Sequence, residues 1–389
     1  LKGECSMEAT QQLSLDVSLK QLAAFEASLY PVTTLYLNAK PDGQGKHHFA
    51  AFARKELKMR SKTFPKDSLQ KEAFDRDAQK IESYLENDVL PATNALAIFA
   101  CFGEGEFFEV LQLGSEIPNN QIFVQNKPNL FWLAWLNDHF RRYAVAVGDT
   151  MSARVFLFGL GQVVEREEID NPHPRHTQAG GWSQARYQRR AENFSQKHAQ
   201  EVADVLEQLV REERVDHILL VGDEMAVPAL QSRLHPNLID KVRVLRLESN
   251  APEDEIIKES LEAMRQEDAL QDVDLAQRLI EEYRSGGLAV AGLHDTLSAL
   301  ANGQVNELVV TAEPAGIEED GELDPQVLTA LGCEHLVRAG DEAAKERPQA
   351  IADALVTRAE QTSATVSFVE DGALLSSVGG VGAFLRYRI

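Results

Sequence analysis

The sequence predicts an α/β protein of three regions, and three observations carry that prediction. Short runs rich in β-branched and aromatic residues alternate with longer stretches of helical spacing along the chain. At 389 residues the chain exceeds what one ordinary core fills, so two or three domains are expected. Its 44% hydrophobic and 7% aromatic content are those of a globular protein. The pattern changes near residues 136 and 268. It divides the chain into an N-terminal α/β domain (1–136), a central domain (137–268) and a C-terminal α/β/α domain (269–389).

In the first region Val32-Thr33-Thr34-Leu35-Tyr36-Leu37 reads as a strand, and Asn38 to Gly45 as a turn-rich break. Phe49 to about Leu90 has helical spacing, split near Pro65. Ala95–Phe102 and Phe107–Leu113 read as two strands joined by Gly103-Glu104-Gly105. No helix follows that glycine pair, so it is a hairpin turn and not a dinucleotide fingerprint. The apolar run Pro128 to Leu136 is too short to cross a membrane and is expected to pack one domain against the next.

The central region opens with strands at Tyr143–Val147 and Ala153–Phe158, turned by Gly148-Asp149. After a Gly-rich loop at Gln178–Ser183 comes a long helix, with Phe194, His198, Val202, Val205, Leu206 and Leu209 on one stripe. Strands follow at Asp216–Val221 and Val242–Leu247, then an acidic helix over Glu253–Arg284. The last third alternates: helix Leu293–Ala301, strand Glu307–Thr311, acidic loop Glu313–Leu323, two helices, strand Ala364–Val369 and a Gly-rich end. That alternation predicts a layered α/β/α domain. No solenoid-period repeat or low-complexity segment interrupts it.

Composition excludes several classes of function. The opening Leu1–Ser6 lacks the basic-then-apolar shape of a secretory leader, and Met7 is a plausible native start. Three dispersed cysteines (Cys5, Cys101, Cys333) suit a reducing, cytoplasmic setting. No stretch is long enough for a membrane span. His173 with His176, and Cys333 with His335, miss the spacings of structural zinc, so no metal or other cofactor is expected. There is no Gly-x-Ser-x-Gly elbow and no Walker-type phosphate loop. Acids are abundant everywhere, so no carboxylate pair stands out.

The formal net charge of −22, from 61 acids and 39 bases, argues against broad nonspecific nucleic-acid binding but leaves room for one focused basic patch. Between residues 175 and 198 the sign inverts: Arg175, Arg186, Arg189, Arg190 and Lys197 face a single acid, Glu192. This inversion surrounds Gly180-Gly181-Trp182-Ser183-Gln184-Ala185-Arg186-Tyr187-Gln188-Arg189-Arg190, two glycines and an amide feeding a basic helix. On the residues alone two readings stay open. One is a solvated helix face; the other is a loop that brings backbone N–H groups and an amide to an anionic partner.

Gly180, Gly181, Gln184, Arg186, Arg189, Arg190 and Glu192 together resemble the Gly-Gly-Gln loop and Arg-bearing helix start of the archaeo-eukaryotic class-1 peptide release factors. The last third adds to the resemblance. Asp295-Thr296-Leu297-Ser298-Ala299-Leu300 and Val305-Asn306-Glu307-Leu308-Val309-Val310 resemble the opening of that family's third domain. Gly379-Gly380-Val381-Gly382-Ala383-Phe384-Leu385-Arg386-Tyr387 resembles its ending. The resemblance spans Tyr143 to Ile389 and is nearest to the bacterial and archaeal release-factor-like branch, related to Pelota and the tRNA-cleaving ribosome quality-control factors.

The resemblance implies an RNase H-like central α/β domain and a C-terminal sandwich like the kink-turn-binding ribosomal proteins. It implies peptidyl-tRNA at the peptidyl-transferase centre of the large ribosomal subunit as the target, and a translational GTPase as a partner of the C-terminal domain. Gly180 and Gly181 would give the loop access, and Gln184 would place the attacking water, a positioning role. Arg186, Arg189 and Arg190 would hold RNA phosphates, with Trp182 or Tyr187 able to stack on an unpaired base. In the family the Gln directly follows the second Gly, whereas here Trp182 and Ser183 intervene. The first region has no counterpart of the stop-codon-reading Asn-Ile-Lys-Ser motif; Asn38-Ala39-Lys40-Pro41 is a superficial echo. Rescue of stalled ribosomes, by peptidyl-tRNA hydrolysis or tRNA cleavage, is therefore expected rather than codon-specific termination. A non-catalytic Pelota-like ribosome-binding factor is the alternative.

Overall fold

The computed structural model describes residues 15–42, 47–90, 93–103, 105–149, 152–159, 162–170, 184–213, 215–319 and 347–388, with 184–195 as backbone. Each of the three predicted regions carries one sheet, and the fold is mixed α/β throughout.

The first sheet is antiparallel, in the order β3-β2-β1-β4: β1 Val32–Asn38, β2 Ala95–Cys101, β3 Phe107–Leu113 and β4 Gln121–Gln125. β1 lies inside the sheet and is buried nearly end to end, which is why it reads as an unbroken strand-former run. The β2–β3 turn contains Gly105 at φ 67°, the left-handed geometry that glycine allows. Helix α1 spans residues 15–23. Helices α2 (Phe49–Ser61) and α3 (Leu69–Asn87) cover one face, burying Phe49, Leu57, Phe74 and Ile81 against Leu35, Leu37, Leu96 and Ile98. Ser68 caps α3 by accepting the Lys71 N–H at 3.1 Å.

The apolar run near residue 130 forms helix α4 (Phe131–His139), with Phe131, Leu133, Ala134, Trp135 and Leu136 buried. It packs on the last region of the chain. The Phe131 ring lies 5.3 Å from Phe368, edge-on, and Trp135 Nε1 donates to Glu370 Oε1 at 2.7 Å. Asp138 Oδ2 accepts the Phe368 N–H at 2.8 Å. The structure accordingly divides into two compact units: Leu13–His139 joins Asp268–Ile389, and the stretch Phe140–Glu267 forms the other. A run expected to pack one domain against the next in sequence thus joins the first region to the third. The physical reason is the apolar stretch Phe131–Leu136 of α4, which needs a partner surface to bury it.

The sheet of the last region runs β10-β13-β11-β12: β10 Ala289–Ala291, β11 Val305–Thr311, β12 Thr365–Val369 and β13 Val381–Leu385. β11 and β12 are parallel, while β13 is antiparallel to both β10 and β11. Helices α9 (Leu293–Ala301) and α10 (Arg347–Gln361) pack on this sheet. The second half of α8 (Glu253–Arg284) supplies Ala276 and Leu279 to a core with Val309, Val369 and Leu375. The Gly-rich ending has a packing cause. Gly380 stands at φ 77°, and a Cβ there would lie 2.1 Å from the Gly316 carbonyl oxygen. Cys333, His335 and one of the two helices expected after the acidic loop lie outside the described residues.

Candidate functional site

The central sheet runs β7-β6-β5-β8-β9: β5 Tyr143–Gly148, β6 Ser152–Gly159, β7 Gln162–Asp170, β8 His217–Gly222 and β9 Val242–Leu245. The first three form an antiparallel meander; β8 and β9 continue parallel to β5. Side chains alternate across this sheet as a pleated strand requires. Ala144, Ala146, Val155, Leu157, Ile218 and Leu220 face helix α5 (Gln184–Glu213) and helix α6 (Ala226–Gln231). Tyr143, Val145, Val147, Phe156, Phe158, Leu219 and Val221 face Ile256 and Met264 in the first half of α8. A short helix, α7 (Pro236–Ile239), precedes β9.

This topology fixes the two described ends that flank residues 171–183. β7 ends at Asp170, which pairs with Ser152 at the start of β6, beside the Gly148 end of β5. The chain therefore leaves the sheet at the carboxyl edge of β5 and β8, and α5 returns from Gln184. Residues 171–183, including Gly180, Gly181, Trp182, His173 and His176, lie outside the described residues. Gln184 is the first residue of α5, and Arg186, Tyr187, Arg189 and Arg190 fall in its first two turns. The helical register places positions 186, 189 and 190 opposite the buried stripe of His198, Val202, Leu206 and Leu209. With a rise of about 1.5 Å per residue, Gln184 stands about 20 Å along the axis from His198.

The other end of α5 is fixed by a buried ion pair. Arg142, immediately before β5, has its side chain 5% exposed and pairs with Glu213, the last residue of α5. The same guanidinium reaches the Glu213 carbonyl at 3.4 Å, so one cation neutralises the carboxylate and meets the helix terminus. Beside it, partial burial pushes the carboxyl of the largely exposed Glu165 up, helped by repulsion from Glu213, Glu167 and Glu212. Sequence reasoning missed Arg142. It also took His198 as a member of an apolar stripe, whereas His198 is buried with neither ring nitrogen hydrogen-bonded.

The Asn38 echo in the first region is a structural corner. Asn38 Nδ2 donates to the Ile117 carbonyl at 2.9 Å, its backbone N–H donates to Asn120 Oδ1 at 2.6 Å, and Lys40 pairs with Glu116. Among the described residues no group of three His, Cys, Asp or Glu side chains is arranged to hold a metal. No described helix is long and apolar enough to cross a membrane.

The central region thus combines a five-stranded sheet with a long helix whose first turns carry arginines and whose first residue is Gln184. Residues 128–265 match the family described as bacterial archaeo-eukaryotic release factor family 10. No curated protein matches the chain. Among solved structures it is similar to the archaeal translation termination factor aRF1, at 15% identity and TM-score 0.27 over 97% of this chain and 98% of that one. It is also similar to Saccharomyces cerevisiae Dom34, a translation termination-like factor, at 11% identity and TM-score 0.43 over 72% and 74%. Archaeoglobus fulgidus Pelota matches at 15% identity and TM-score 0.34 over 76% and 80%.

Proposed function

We propose that this chain is a ribosome-rescue factor that acts on peptidyl-tRNA in the large subunit of stalled ribosomes. The observation that carries the reading is the family match over residues 128–265, which contains the whole Gly180–Arg190 segment. In this reading Gly180 and Gly181 let the backbone approach the tRNA linkage. Gln184, at the head of α5, positions the attacking group, and Arg186, Arg189 and Arg190 contact RNA phosphates. Trp182 and Tyr187 are the candidate stacking residues. The three-part division at residues 136 and 268 belongs to the same proposal. The first region stands where a codon reader would be, and the last offers a surface for a translational GTPase. A cytoplasmic location follows from that setting.

The test is a stalled ribosome complex carrying labelled peptidyl-tRNA. Purified protein should release peptide or cleave tRNA, and Gln184→Ala should lower the rate by a factor of ten or more, on the order of one lost positioning contact. Equal rates for Gln184→Ala and wild type, or no cleavage of either bond, would refute the catalytic reading. A specific observation favours a second reading, a non-catalytic Pelota-like factor: Trp182 and Ser183 separate Gly181 from Gln184. That reading predicts ribosome binding that Arg189→Glu abolishes and Gln184→Ala leaves intact.

A further inference from the structure

Residues 54–66 hold six cations, Arg54, Lys55, Lys58, Arg60, Lys62 and Lys66, against one acid, Glu56. In a chain of 61 acids and 39 bases this is a second inversion of sign, far in sequence from the head of α5. Most of it lies on α2, which buries Phe49, Ala53 and Leu57 against the first sheet. At about 100° per residue, Lys55, Lys58 and Lys62 stand about 200°, 140° and 180° round the axis from Ala53. They form one row down the solvent side of the helix, and Lys62 keeps helical backbone angles as its cap. Lys55, Lys58, Lys62 and Lys66 are all exposed, and among the described residues none of them is in an ion pair. Neighbouring cations are neutralised: Arg54 pairs with Glu86 of α3 at 3.0 Å, Lys71 with Asp75 at 2.6 Å and Arg76 with Glu72 at 2.7 Å. Attraction to the carboxyl end of α2 accounts for Lys58 and Arg60 in its last turn, but Lys55 precedes that turn and Lys66 lies beyond the helix.

An unneutralised row of cations suits a polyanion. About 10 Å of helix carries the three lysines, one per about 3.5 Å, close to the one phosphate per about 3.4 Å of axis along one strand of a duplex. Lysine meets phosphate as a point charge and lacks the planar fork that reads a guanine edge. Among the described residues no Phe, Tyr or Trp is exposed on this face; the large apolar side chain there is Met59, 52% exposed. Recognition of single strands relies on such rings to stack on bases. A straight lysine row without stacking rings therefore fits the backbone of a paired helix. We propose that the lysine row of α2 binds the phosphate backbone of double-helical RNA without reading its sequence. The choice of RNA over DNA rests on the translation-related function proposed above; the rest of the inference does not depend on it.

The test is fluorescence anisotropy of the full chain at about 50–200 mM salt, with labelled nucleic acids of about 20 base pairs or nucleotides. The probes are RNA duplexes of two unrelated sequences, a single RNA strand and a DNA duplex. Each measurement is repeated in Arg186→Gln/Arg189→Gln/Arg190→Gln, which removes the charge at the head of α5. The two RNA duplexes should bind equally, and more tightly than the single strand. Lys55→Gln/Lys58→Gln/Lys62→Gln should weaken duplex binding about tenfold or more and lower the slope of log affinity against log salt by about two to three units, with or without the α5 arginines. Lys258→Gln/Arg265→Gln/Arg278→Gln removes three exposed charges from α8 and controls for net charge. It should leave affinity and slope near wild type. Thermal melts establish that the variants are folded. Equal losses in the α2 and α8 variants, or an unchanged slope in the α2 variant, would overturn the inference. Tighter binding of the single strand or of the DNA duplex than of either RNA duplex would do so as well. A protein that binds duplex RNA through this row yet cleaves no peptidyl-tRNA keeps this inference and loses the catalytic one.

Discussion

The carboxylate of Asp353 on α10 accepts the backbone N–H of Leu130 at 2.6 Å, across 223 residues of sequence, and that of Phe131 at 3.3 Å. These are first-turn donors of α4, which no intrahelical carbonyl can satisfy. A side chain from the last region therefore caps the helix that ends the first. Tyr36 adds to the cluster by donating its hydroxyl to the Asn129 carbonyl at 2.7 Å. Asp353→Ala leaves two buried donors without acceptor, at a cost of about 1–3 kcal/mol. Asp353→Asn keeps an oxygen at the same place and costs less. Urea unfolding of both variants checks the order; equal losses would mean that volume, not the cap, stabilises this junction.

The same group makes stability depend on pH in an unusual direction. Burial pushes the Asp353 carboxyl up to about 7, against the lowering effects of the Leu130 and Phe131 N–H groups and Lys127. Asp77 on α3 is likewise pushed up to about 7 by burial, with its Oδ2 unpaired. Both are raised above the unfolded carboxyl value of about 4, so their stabilising contribution is complete below that pH. It is lost as pH rises through about 7. The melting temperature should fall between pH 5 and 8, and Asp77→Asn or Asp353→Asn should each flatten that fall. Variant profiles parallel to wild type would rule out these two carboxyls as its source.

Arg142 and Glu213 tie the two ends of the β5–α5 unit together. Removing only the cation strands the Glu213 carboxylate beside Glu165, whose carboxyl it already pushes up. Arg142→Met should therefore cost about 3–5 kcal/mol. The double variant Arg142→Met/Glu213→Gln should recover much of this, because no buried charge is left alone. A double-mutant cycle by chemical denaturation gives the coupling. Additive losses would mean that Arg142 acts through its packing alone.

How much of this was legible in the sequence depends on where each signal was stored. Strands buried on both sides, such as β1 and β8, announced themselves through unbroken runs of strand-forming residues. β7 did not: its sequence Gln-Val-Val-Glu-Arg-Glu-Glu-Ile-Asp is that of an exposed edge strand, with residues 165–168 in solvent, and its charges mask the alternation. β10 has three residues, too few for any period. α8 was readable as one helix over 253–284. Its assignment to two cores, Ile256 with the central sheet and Leu279 with the last, was not readable, because both faces are apolar at intervals. At the site, the Gly-Gly, Gln and Arg residues are a local pattern and were visible. Asp353, Arg142 and the unpaired state of His198 depend on contacts between distant positions, which spacing cannot reveal.

The Gly-rich ending tests how far a motif reflects packing. Gly380 combines φ 77° with a carbonyl 2.1 Å from where its Cβ would stand, and its own carbonyl accepts the Thr311 N–H at 3.0 Å. Gly380→Ala should cost about 1–2 kcal/mol for the left-handed backbone and about 1–3 kcal/mol for overpacking. Gly105→Ala, at φ 67° with open space around it, should show the first cost without the second. Similar losses at the two positions would mean that the close approach to Gly316 relaxes freely.

The basic start of α5 makes a prediction about salt. A chain of net charge −22 is repelled by RNA at long range, so the proposed ribosome association requires a local patch that displaces counterions. Arg186, Arg189 and Arg190 share one side of the α5 register, and each phosphate contact adds about 0.7–0.9 to the slope of log affinity against log salt. Arg189→Ala should therefore weaken co-sedimentation with ribosomes and reduce the slope by about one unit. Gln184→Ala should leave the slope unchanged, because an uncharged amide releases no counterion. An Arg189→Ala slope equal to wild type, with affinity also unchanged, would place the ribosome contact away from the head of α5.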